Sequence, residues 1–93
     1  MTPTVANAIL NDIARGFGEP QGSRRYSNAP AASEDRAAWA IVRQHCPNKP
    51  EGDCRRIIHA WIENGVLYTE KYNDPVERKA RSGLLVDNAK RPT

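Results

Sequence analysis

The stretch NKPEGDCRRIIHAWIENGVLYTEKY, residues 48–72, decides the fold. Cys54, Ile57, Ile58, Trp61 and Ile62 fall at i, i+3, i+4, i+7 and i+8, an apolar stripe over two helical turns. Asn64-Gly65 supplies the stop, because glycine enters the left-handed cap conformation without a Cβ clash. Asn48 and Glu51 have the spacing of a capping box at the other end, with Asn where Ser or Thr is usual. Past Gly65 the period changes. Residues 66–72 are rich in β-branched and aromatic side chains, which predicts a strand.

Upstream, a second helix is expected to begin near Ser33. Its hydroxyl can accept a first-turn N–H, and Glu34 and Asp35 suit the positive end of the helix dipole. Ala38, Ile41, Val42 and Cys46 make its apolar face with Trp39 alongside, and Pro47 ends it. A first helix is expected from Pro3 to Gly16. Thr2 is its cap, Pro3 sits at the first position, and Val5, Ile9 and Ile13 form a stripe that Leu10 widens. Between these helices, residues 18–33 read as a connector in which only 24–27 could add a short strand to a sheet edge.

Downstream, Asn73-Asp74-Pro75 is read as the end of the strand. The charged stretch 76–82 is expected to project as a long flap, and Gly83-Leu84-Leu85-Val86 to return as a strand. Tyr68 is expected to be packed near Gly65, and Tyr72 to be exposed at the loop base. The chain thus divides into an N-terminal helix (1–17), a connector (18–33), a helix-helix-hairpin core (34–87) and a flexible tail (88–93), with residues 1–87 forming one domain. Helix, short strand, helix, helix, strand, loop, strand is the order of a winged helix, a small α+β fold. A generic three-helix domain with an added hairpin is the competing reading.

The 39% hydrophobic and 27% charged content fits a folded chain, so disorder is not the default. A net charge of +3 helps association with a polyanion without requiring one. No apolar run approaches the roughly 20 residues of a membrane span, and no basic segment leads into one. A cytoplasmic protein without membrane attachment is therefore expected. Cys46 and Cys54 lie on apolar stripes, which predicts buried reduced thiols. Their spacing, even with His45 and His59 nearby, fits no usual zinc pattern, and neither metal nor cofactor is expected. The chain has no G-x-x-x-x-G-K-[ST] loop, G-x-S-x-G elbow or H-E-x-x-H pair, so binding is expected rather than catalysis.

The candidate binding residues are cationic. Lys49, Arg55, Arg56 and His59 fall on or just before the exposed side of the third helix. Lys71, Arg78, Lys79 and Arg81 fall in the hairpin. In a winged helix the third helix enters the major groove of DNA, where the arginine fork matches guanine O6 and N7. The hairpin, as the wing, can reach phosphates or the minor groove. The partner expected on this basis is DNA, taken as double-stranded. Glu51, Asp53 and Glu63 share the helix, and acids there repel phosphate. They also suit the dipole and a Glu51–Arg55 pair at i, i+4, so a solvated face remains open. The alternative function is a protein-docking or oligomerisation module that binds no DNA. Trp39 and Trp61, at or beside apolar stripes, are read as core anchors rather than stacking platforms.

Several further segments carry a resemblance. They are Arg25-Tyr26-Ser27, Arg36-Ala37-Ala38-Trp39, Cys54-Arg55-Arg56-Ile57-Ile58 with Trp61-Ile62, and Gly65-Val66-Leu67. Tyr72, Asp74-Pro75, Arg78-Lys79, Gly83-Leu84 and Lys90-Arg91-Pro92 complete the set. From Arg24 to Pro92 the chain resembles the C-terminal region of RecA-like ATPases of bacteriophages and related mobile elements, proteins associated with DNA replication. The resemblance implies DNA binding or docking of a replication partner. ATP binding does not carry over, because the phosphate loop of that family's core is missing from this chain.

Overall fold

The computed structural model describes residues 1–93 as a small α+β domain. Three helices, α1 (Pro3–Arg15), α2 (Ala38–His45) and α3 (Glu51–Glu63), precede an antiparallel hairpin of β1 (Leu67–Asp74) and β2 (Lys79–Val86). A short 3-10 turn, Asn88–Lys90, follows. No helix is long and apolar enough to cross a membrane.

Local signals place α1 where its sequence predicts it. The Thr2 hydroxyl accepts the Val5 N–H at 3.2 Å, and Gly16 closes the helix at φ +66°. Ile9, Leu10 and Ile13 point inward and meet Ala38, Trp39, Ile41 and Val42 of α2. Cys54 and Ile58 of α3, with Val66, Leu67 and Leu84 of the hairpin, close the core. Full burial of each large aliphatic side chain stabilises by about 1.5–3 kcal/mol. The α3 stripe is only half used: Ile57, Trp61 and Ile62 pack on the core but stay partly exposed. Trp39 is buried as an anchor, whereas Trp61 is not fully enclosed.

The second helix starts later than its acidic run predicts. Ser33 to Arg36 form a turn closed by Arg36 N–H to Ser33 C=O, and the Ser33 hydroxyl bonds Asp35 instead of a helix N–H. Ala38 N–H donates to Ser27 C=O and Ser27 N–H to Arg36 C=O, so the backbone just before α2 is extended. Glu34 and Asp35 thus lie outside the helix. The third helix also departs from its expected cap. Pro50, not Asn48, is the cap residue, and its carbonyl accepts the N–H groups of Asp53 and Cys54. Proline disfavours helical backbone in the residue before it, which works against a helix beginning at Lys49. At the C-terminal end Gly65 adopts φ +77°, as the Asn64-Gly65 pair predicts.

The long flap is not present. β1 runs through Asn73 and Asp74 and pairs in unbroken register with β2, from Leu67 opposite Val86 to Asp74 opposite Lys79. Only residues 75–78 form the loop. The Asp74 Oδ1 accepts the N–H groups of Val76 and Glu77 at 2.9 and 3.2 Å, and the Asp74 carbonyl accepts that of Arg78. Arg78 takes φ +54° to complete the reversal. The residues read as a strand breaker therefore cap the turn.

Residues 24–27 form no regular strand, but Leu84 N–H donates to Tyr26 C=O at 2.9 Å along the free edge of β2. The C-terminal segment is also ordered against the body. Asp87 caps the 3-10 turn, Arg91 donates to Asn7, and Asn7 donates to the Pro92 carbonyl at 2.8 Å. It is a strap on α1 rather than a free tail.

Candidate nucleic-acid interface

The cations chosen from the sequence fall into two groups with different surroundings. On α3, Arg55 Nε donates to Glu51 at 2.8 Å, one turn apart, while its guanidinium lies 5.2 Å from the Trp39 ring centre. Arg56 pairs with Asp53. Both pairs sit on the surface, where such bonds contribute about 0.2–1 kcal/mol. Lys49 is partly buried before the helix, and His59 is exposed on its outer side. The outer face of α3 thus alternates in sign. Arg43 also lies over Trp39, at 4.6 Å, and pairs with Glu34.

The hairpin differs. Lys71, Arg78 and Lys79 are exposed, and no carboxylate pairs with them. Beside them Val76 at the loop is 67% exposed, an apolar tip among cations. Arg81 does not join this set. It turns inward, 3.7 Å from Asp74 and 3.3 Å from Glu77.

Asp74 is the hub that holds the hairpin end. Its side chain is fully buried, and Oδ2 accepts both Nε and Nη2 of Arg24 at 3.2 Å. Burial by itself pushes its carboxyl pKa up. The N–H groups of Val76 and Glu77 and the Arg24 guanidinium outweigh that and hold it below the usual carboxylate range. Arg24 in turn lies 4.9 Å from the Phe17 ring centre, and Phe17 packs on Tyr26. The charged loop is thereby anchored to the connector after α1.

On the outer face of the hairpin, Tyr72 reaches across β2. Its hydroxyl accepts the Arg25 N–H at 3.1 Å, so Tyr72 is tied down rather than exposed. A Cβ on Gly83 would stand 2.3 Å from Arg25 Cβ and 2.9 Å from Tyr72 Cε1; glycine alone leaves the room. Tyr68, expected to be packed, is 46% exposed on the same face.

Two pairings have no signal in the sequence: His45, whose Nε2 lies 2.6 Å from Asp12, and Arg24 with Asp74. No short-range pattern links partners so far apart in the chain. Both cysteines are free thiols, but only Cys54 is buried as expected, Cys46 staying partly exposed. Burial pushes the Cys54 thiol pKa up, which favours its protonated form. No three His, Cys, Asp or Glu side chains converge as metal ligands would. Comparison with protein families, curated proteins and solved structures finds no match to this chain.

Proposed function

We propose that the domain is a winged helix that binds DNA through phosphate contacts, with the hairpin as the leading element and α3 in support. A role in phage or mobile-element replication or regulation, in the cytoplasm, accords with the family resemblance. The observation that carries the reading is the triad Lys71, Arg78 and Lys79, exposed and unpaired on a hairpin whose turn is fastened by buried Asp74. Free cations gain from releasing the counterions of DNA, whereas Arg55 and Arg56 must first leave Glu51 and Asp53. The single hydrogen bond from Leu84 N–H to Tyr26 C=O puts the connector where a winged helix has its third strand, which supports that order although no regular strand forms there.

Anisotropy titration with fluorescent DNA at several salt concentrations tests this. Neutralising three phosphates gives a log–log salt slope of about −2 to −3. Replacing Lys71, Arg78 and Lys79 together by Ala should abolish most of the slope. Unchanged affinity in that variant rejects the proposal.

A second reading, a protein-docking module, is favoured by one observation. Ile57, Ala60 and Trp61 of α3 line an open, mainly apolar cleft of about 400 Å³ with Pro3 and Ala6 of α1. Under it, the wing variant would leave partner binding intact and DNA would not bind at low salt.

A further inference from the structure

From the outer face of the hairpin we infer a single-stranded DNA site that takes one unstacked base, with guanine preferred. This rests on the phosphate-binding reading above and names the form of DNA that the hairpin engages.

The site is a cleft of about 270 Å³ lined by Arg25, Glu70, Lys71, Tyr72, Gly83 and Leu85. It is smaller than the roughly 300–1,000 Å³ of drug-sized ligand pockets, which suits one planar ring. Its shape is built by three linked features. The bare Gly83 backbone lets Arg25 and Tyr72 pack over it, Tyr72 is fixed by its hydroxyl on the Arg25 backbone, and Arg25 donates through Nη1 to the Ala14 carbonyl. The walls are therefore set before any ligand arrives.

Side-chain register supplies the second element. Tyr68 stands directly opposite Leu85, and Glu70 opposite Gly83, so Tyr68, Glu70 and Tyr72 share one face. Tyr68 lies two residues, about 7 Å, from Glu70 along the strand. An exposed tyrosine there offers a ring on which the next base can stack, and every base has a face to stack.

Chemistry selects the ligand. Glu70 is exposed and makes no hydrogen bond or ion pair, so its carboxylate is free to accept. Among the bases, guanine alone presents two parallel donors, N1–H and N2–H, on its Watson–Crick edge. In a duplex that edge is paired with cytosine and out of reach, so the donors are available only in a single strand. Arg78 and Lys79 at the loop end of the hairpin meet the phosphates, with Lys71 adding its charge from the opposite face of the strand, which offsets the repulsion between Glu70 and the nucleic acid. A duplex major groove is the poorer partner, because the outer face of α3 has its arginines paired.

The test uses the full chain and fluorescein-labelled 12-mers: all-thymine, all-thymine with one central guanine, and the latter annealed to its complement. The guanine 12-mer is expected to bind about tenfold tighter than the all-thymine strand and the duplex. Tyr68→Ala is expected to weaken every single strand about tenfold. Glu70→Gln should remove the guanine advantage while leaving all-thymine affinity equal or higher. Equal binding of duplex and single strand overturns the inference, as does a guanine advantage that survives Glu70→Gln. Loss of binding on replacing Lys71, Arg78 and Lys79 alongside an inert Tyr68→Ala rejects the base site but keeps the phosphate reading. No binding to any DNA at low salt rejects both.

Discussion

The Asp74 carboxylate, wholly enclosed, accepts two hydrogen bonds at 3.2 Å from Arg24, fifty positions earlier in the chain. The same carboxylate caps the hairpin loop through Val76 and Glu77. One side chain therefore sets the loop conformation and fixes the loop to the connector that follows α1.

Asp74→Asn is expected to destabilise the domain by about 3 kcal/mol, because removing one partner of a buried pair leaves the other without compensation. Urea unfolding followed by circular dichroism reads this directly.

The same residue governs part of the acid limb. Its folded-state carboxyl titrates below the ordinary value, so the folded protein holds its proton less tightly than the unfolded chain. The resulting stability is fully present above about pH 3.9 and is lost as pH falls from there through the lower folded value. Between pH 5 and 7 Asp74 adds no slope. In Asp74→Asn the stability curve below about pH 4 should be flatter than in the parent chain.

Gly83→Ala places a Cβ against Arg25 and Tyr72, and neither can retreat freely while the Tyr72 hydroxyl is bound to Arg25. Overpacking of this kind costs about 1–3 kcal/mol. Faster amide hydrogen exchange at Leu84, whose N–H bonds Tyr26, should accompany the lower midpoint.

Gly52 makes the opposite case. It lies in the first turn of α3 with nothing near the position of a Cβ, and its backbone is helical. Gly52→Ala should stabilise by about 0.5–1 kcal/mol through reduced unfolded-state entropy. A rise of several degrees in the thermal midpoint is the expected reading.

Glu51 and Asp53 restrain the α3 arginines. Replacing both by Gln and Asn should strengthen DNA binding about threefold or more at low salt, since two cations become available to phosphate. The stability change should stay within about 1 kcal/mol. Unaltered affinity would show that α3 lies away from the nucleic acid.

What the sequence determined by itself is local. The Thr2 cap, the Ile9–Ile13 spacing, the Asn64-Gly65 stop and the switch to extended residues each involve neighbours within a turn or two, so short-range periodicity reveals them. Candidate cations were readable as residue types, but their state of pairing was not. Tertiary structure alone decided that Arg81 turns to Asp74, that Lys71, Arg78 and Lys79 stay free, and that Tyr72 rather than Tyr68 is held down. The start of α2 is not legible locally because the Ser33 hydroxyl has two candidate partners, a helix N–H or Asp35, and the bridge from Ser27 to Ala37 holds the backbone extended so that it takes Asp35. Likewise Asn73-Asp74-Pro75 reads as a break until the partly exposed Arg24 compensates the charge of buried Asp74 and lets the strand continue. Partners separated by tens of residues leave no periodic trace, and only the folded chain brings their charges within bonding distance.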